Sequence, residues 1–180
     1  MKKTLVSLSL SLAAAALLAA CGSTKTGPVA MVTLTPTTGQ TANGTVHFAQ
    51  QADGSVEVQV DLMAVPPGVH GFHVHEKGDC GDDAKNAGGH FNPGSMAHGA
   101  PDASSHHAGD FGNVTADAGG NVHTTFTTRS ITVTDGPNSV LGHAIVLHGN
   151  ADDLVSQPAG NAGPRIACGV VSPMAGDMHH

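Results

Sequence analysis

Apolar and polar residues alternate along much of the chain with the period of a β-strand. In Val56-Glu57-Val58-Gln59-Val60-Asp61-Leu62 the four apolar side chains fall on one face and the polar ones on the other. Similar short runs occur at Ala30–Thr35, ended by Pro36, and at Thr45–Phe48, Val69–His75 and Asn113–Ala116. Others lie at Val122–Thr127, Ser130–Val133, Ala144–Leu147 and Ile166–Val171. Turn-forming residues separate them: Gln51-Ala52-Asp53-Gly54, Pro66-Pro67-Gly68, and Asp117-Ala118-Gly119-Gly120. The last of these predicts a hairpin joining the strands on either side of it. Little of the sequence has helical periodicity. The pattern predicts an all-β domain of about eight short antiparallel strands, a sandwich or barrel. Two long segments, 76–109 and 149–164, lack a pattern and are read as functional loops.

The first twenty residues do not belong to this fold. Lys2 and Lys3 precede an apolar run, Leu5–Ala20, that is too short and too interrupted by serine to span a membrane. It ends in Leu18-Ala19-Ala20-Cys21, which resembles the lipobox of bacterial lipoprotein signal peptides. That resemblance implies a signal peptide at 1–20, lipidation of Cys21, and a flexible tether over 21–28. The alternative is an ordinary secretory signal, and both readings make the protein an exported one. The folded domain is expected over 29–172, with a disordered tail at 173–180.

Cleavage before Cys21 would leave 160 residues, enough for one domain that buries roughly two-thirds of its unfolded surface. It would also leave 5 of the 7 basic residues against all 14 acidic ones, a formal charge of −9. A chain this acidic is a poor partner for nucleic acid. With five Phe and no Trp or Tyr, the core falls to Val, Leu, Ile and Ala, and no aromatic stacking platform is available. If lipid takes Cys21, Cys80 and Cys168 stand as a pair in an oxidising compartment, 88 positions apart. Bridging them would remove about 4–5 kcal/mol of unfolded-chain freedom. The alternative is two free thiols, one of them a metal ligand.

The candidate chemistry is concentrated in Gly71–Asp110, which holds six of the thirteen histidines. His73 and His75 alternate with Phe72 and Val74, so both imidazoles project from one face of a strand. A Gly-, Asp- and Asn-rich run leads to His90, with His98 eight residues on and His106-His107-x-x-Asp110 beyond. Several histidines and an aspartate on one glycine-rich excursion make a metal site, since imidazole suits copper and zinc and carboxylate suits zinc. His148, closing the apolar run Ala144–Leu147, supplies a further ligand from a distant part of the chain.

Five blocks, GFHVHEKGDC, GGHFNP, HAGDFGNVTAD, VLHGNADDL and GNAGPRIACGVV, resemble in order the signature blocks of copper/zinc superoxide dismutase, from Gly71 to Val171. The resemblance implies an eight-stranded antiparallel Greek-key barrel with two long functional loops. It implies one copper ion per chain, on His73, His75, His90 and His148, and one zinc ion, on His90, His98, His107 and Asp110. His90 would bridge the two metals. Asp152 would orient His73 and His98, Cys80 and Cys168 would form a disulfide, and Arg165 would stand beside the open copper position as a catalytic residue. The activity implied is dismutation of superoxide to oxygen and hydrogen peroxide by alternate reduction and oxidation of copper, in the periplasm or cell envelope, on a membrane through lipid at Cys21.

Two other functions weigh against this one: a copper- or zinc-buffering lipoprotein without catalysis, and a sandwich whose histidines hold zinc alone. Neither gives Arg165 a use. The chain also departs from many relatives, because Leu154–Pro164 carries no charged residue where they place steering lysine and glutamate. Lys77 and Lys85 are the remaining basic candidates. No subunit contact can be matched, so a homodimer stays open. Of the other histidines, His70 is expected to tie backbone groups behind the copper site. His47, His123 and His143 are read as surface or core residues, and His179-His180 as part of a solvated end.

Overall fold

The computed structural model describes residue 27 and residues 29–174. The signal peptide, Cys21, most of the tether and the His179-His180 end lie outside the described residues. Among the described residues nine strands follow one another: β1 Val29–Pro36, β2 Asn43–Gln50, β3 Val56–Met63, β4 Gly68–His75, β5 Asp110–Ala116, β6 Val122–Thr128, β7 Ala144–His148, β8 Arg165–Val170 and the two-residue β9 Ser172–Pro173. A single 3₁₀ turn, Lys85–Ala87, interrupts the first long loop. The hydrogen-bonded order β5-β4-β7-β8-β1-β2-β3-β6 is antiparallel throughout and makes a nearly closed barrel. β1 joins its two halves: Val29–Leu34 pair with β2, while Thr35 and Pro36 pair with Cys168 and Ala167 of β8.

The alternation read from the sequence becomes the core. Val56, Val58 and Val60 are fully buried, as are Phe72 and Val74, which alternate with His73 and His75 on β4. Phe72, Phe111 and Phe126 meet at the seam where β5 and β6 approach, with ring centroids 6.1 Å and 5.3 Å apart. The edge-to-face pair Phe111–Phe126 links β5 to β6 through side chains where no ladder does.

Three expectations need correction. The turn at 117–120 forms, with Gly120 N–H donating to Asp117 O at 3.0 Å, but it does not join a hairpin. β5 pairs with β4 and β6 with β3, so the two strands are the opposite edges of the sheet. The turn is a local event, whereas the partner of each strand is set by which apolar face it can cover. Ser130–Val133 is not a strand. Ile131 and Val133 are buried; Thr132 makes an isolated backbone bridge to Ser139, and Val133 N–H donates to Gln50 Oε1 at 3.0 Å. The end of the domain also extends past 172, because Ser172 and Pro173 pair with Met31 and Ala30 of β1.

Candidate metal centre

Two groups of side chains converge on the face of β4 and β7 that turns away from the main core: His73, His75, His90 and His148, and His90, His98, His107 and Asp110. All seven residues are buried, and in each group the donor atoms lie within 4.8 Å of one another. His90 belongs to both. Its Nδ1 is 2.7 Å from Asp110 Oδ1, while Nε2 is buried in the other group with no hydrogen-bond partner.

Backbone irregularities bring these side chains together. His73 and His75 follow from strand alternation on β4, and His148 ends β7. Asp110 comes opposite His73 because β5 carries one extra residue there: Phe111 and Gly112 together stand against Phe72 of β4, between Gly71 and His73. Gly112 takes φ +72°, a left-handed conformation open to glycine at little cost. On the other side the β7–β8 register slips between Leu147 and His148, which sets Arg165 opposite His148.

Hydrogen bonds fix which ring atom of each histidine is free. Asp152 accepts at one oxygen from His73 Nε2 (2.7 Å) and at the other from His98 Nε2 (3.0 Å). His75 Nδ1 donates to Gly88 O at 3.0 Å, and His148 Nδ1 faces Gly163 O at 3.3 Å. His73 Nδ1, His98 Nδ1 and His107 Nδ1 are left buried without partners, as is His90 Nε2. His75 Nε2 and His148 Nε2 face each other at 3.3 Å. Buried polar atoms are seldom orphaned, and four gathered at one place fit cations between them. The first group offers four imidazole nitrogens, which suits copper; the second offers three nitrogens and a carboxylate, which suits closed tetrahedral zinc.

The electrostatics keep these histidines neutral. Burial lowers the pKa of His73 to about 4 and of His148 to about 3, and pushes His75 well below the ordinary value. Burial alone would raise Asp110, but the His90 hydrogen bond and the His107 backbone N–H hold it well below the usual carboxylate range. Neutral imidazole beside ionised carboxylate is the protonation state a metal requires.

Arg165 lines a cavity of about 230 Å³ that opens onto His75, His90 and His148. Its guanidinium donates to Ala84 O and, at 2.5 Å, to Gly88 O, the carbonyls flanking the 3₁₀ turn. The Cys80–Cys168 disulfide ties that loop to β8, so the loop that aims Arg165 is anchored beside it. Lys77 and Lys85 are exposed and pair locally with Glu76 (3.8 Å) and Asp82 (3.2 Å).

The other described histidines belong to neither donor group. His70 bridges His148 O (2.9 Å) and Pro66 O (2.7 Å). His106 donates to His107 O at 2.7 Å and stays out of the second group. His123 pairs with Asp61, and His143 packs on Phe91 with centroids 4.1 Å apart.

Three further residues shape the site. Asn113 clamps the backbone of Asp152, accepting from its N–H at 2.8 Å and donating to its O at 2.9 Å. Gln157 does the same for His98, at 2.9 Å in both directions. Gly160 passes so close over the Asp152–His98 hydrogen bond that a Cβ there would lie 1.7 Å from Asp152 Oδ1. Asn113 could have been noticed inside the block HAGDFGNVTAD; Gln157 sits in an uncharged loop with nothing to mark it.

The family model of copper/zinc superoxide dismutase matches residues 42–171. Among solved structures, that of the clock protein EA4 is similar, with 39% sequence identity and a TM-score of 0.74. The match covers 82% of this chain and 96% of that one. With this match, an antiparallel barrel and two donor groups joined through one histidine, the chain belongs to the copper/zinc superoxide dismutase family.

Proposed function

We propose that this protein dismutes superoxide to oxygen and hydrogen peroxide, two superoxide anions and two protons being consumed for one molecule of each product. His73, His75, His90 and His148 would hold copper, and His90, His98, His107 and Asp110 would hold zinc. When bound, copper supplies the one-electron redox couple and zinc a redox-silent charge that fixes His90.

The chain's own residues do the rest. Arg165 draws the anion into the cavity over His75, His90 and His148 and positions it there. Its two carbonyl contacts keep the guanidinium from swinging away. Asp152 fixes the rings of His73 and His98, so both donor groups keep their shape through the cycle. His90 takes up a proton at Nε2 in one half-reaction and gives it to the outgoing peroxide in the other.

The observation that carries this reading is His90, with one ring nitrogen aimed at Asp110 and the other left without a partner among the copper-type histidines. A buffer needs no such bridge and no arginine held over an open position. Metal analysis of the purified chain, alongside pulse-radiolysis rates of superoxide decay, tests it. One copper, one zinc and rapid decay are expected; zinc alone, or both metals without activity, would sink it. The similar solved structure is named for a clock role, and that role is its own.

We further propose export and anchoring through lipid on Cys21, which would place the domain at a membrane of the cell envelope. The lipobox-like run before Cys21 supports this.

A further inference from the structure

We propose that Gln157 is a positioning residue that makes the zinc site and the rim of the copper cavity move as one body. The proposal rests on the reading of the two donor groups given above. Gln157 holds both polar groups of one peptide unit: its Oε1 accepts from His98 N–H and its Nε2 donates to His98 O, each at 2.9 Å. His98 is a member of the second donor group, and Gln157 itself lines the cavity over the first. Its chain neighbours Pro158 and Ala159 form that wall too.

The loop from Leu154 to Gly160 carries no charge, so no ion pair fastens it to the loop that bears His98. Asp152 links the two loops at its own position through His98 Nε2, at the start of the segment. Gly160 returns over that link with no side chain to hold on by. Gln157 lies between them, and its amide makes the side-chain hydrogen bonds that run from residues 155–159 to His98. A paired amide of this kind fixes both position and orientation, as one rung of a β-ladder does. Binding that orders His98 therefore orders the cavity wall, and loosening the wall loosens His98.

Hydrogen exchange of the full chain, with and without zinc, tests the coupling, together with zinc affinity by competition against a chromogenic chelator. Gln157 is on the surface, so Gln157→Met keeps the volume without disturbing the core. Zinc should slow exchange in both 98–110 and 154–163 of the parent. In Gln157→Met it should protect 98–110 alone, the His98 amide should exchange faster, and zinc affinity should fall roughly tenfold, the worth of two modest hydrogen bonds. Gln157→Glu keeps an acceptor for His98 N–H but loses the donor to His98 O, so its affinity should fall between the two. Zinc-dependent protection of 154–163 that survives unchanged in Gln157→Met would overturn the proposal and leave Asp152 as the sole link. A parent chain that binds no zinc would overturn the reading of the second donor group, and the coupling with it.

Discussion

His148 and Arg165 face each other across β7 and β8, because the register slips between Leu147 and His148. That one irregularity puts the guanidinium at the cavity beside the imidazole, held there by Ala84 O and Gly88 O. Encounter with an anion is then set by two opposed effects. The acidic chain repels it at long range and Arg165 attracts it at short range. At physiological ionic strength the Debye length is about 8 Å, so the local cation should dominate.

Arg165→Ala should lower kcat/KM by roughly tenfold or more, equivalent to about 1.4 kcal/mol of transition-state stabilisation. Lys77→Ala and Lys85→Ala should each do less, since both lysines are exposed and already paired with Glu76 and Asp82. Rates of the three variants measured from low to high salt decide the matter. A parent enzyme that speeds up with added salt would show that net charge, not Arg165, governs approach.

The two donor groups should separate on mutation. His148→Ala removes a ligand from the first group only, so copper and activity should be lost with zinc retained. His98→Ala should lose zinc while keeping part of the copper. Metal content after dialysis reads both, and full copper with full activity in His148→Ala would refute the assignment.

Asp152 accepts from a histidine of each group, so its loss should be felt at both metals. Asp152→Asn, which replaces one accepting oxygen by a donor, should cost about 10–100-fold in affinity for at least one metal. Gly160→Ala should weaken zinc binding through the same hydrogen bonds. Its Cβ would meet Asp152 Oδ1 at 1.7 Å, and φ +64° disfavours any side chain there. Chelator competition measures both variants.

Acid should destabilise the metal-free chain within a definite window. The unfolded histidines take up protons near the ordinary 6.5, whereas burial holds His73 to about 4 and His148 to about 3. Between those values the unfolded state binds more protons than the folded one, so stability is complete above 6.5 and drains away as pH falls toward 3. His75, pushed down in the same direction, adds to the loss. Urea midpoints of the metal-free protein at neutral and mildly acidic pH should drop accordingly; a flat profile would contradict the neutral, buried state of these rings.

Cys21→Ser should release the protein from membrane fractions or block its processing, leaving the dismutase domain intact. Each buried CH₂ of an acyl chain contributes about 0.8 kcal/mol to anchoring. Unchanged fractionation would identify a plain secretory signal.

The strands and the metal-rich segment were legible in the sequence because both depend on short-range order. Alternation of Val56, Val58, Val60 and Leu62 needs only the two-residue repeat of a strand, and that repeat also puts His73 and His75 on one face. Tertiary structure decided what depends on partners distant in the chain. The turn at 117–120 exists, yet β5 and β6 form no ladder with each other, because β5 pairs with β4 and β6 with β3. Ser130–Val133 has the composition of a strand but makes only an isolated bridge, Thr132 to Ser139, and serves as a buried anchor outside the sheet. Asp110 and Arg165 reach their positions through irregular registers between strands, and Gln157 meets His98 across 59 positions of sequence. A linear pattern records which face a side chain takes, while the register of two remote strands is set by the packing of the whole barrel.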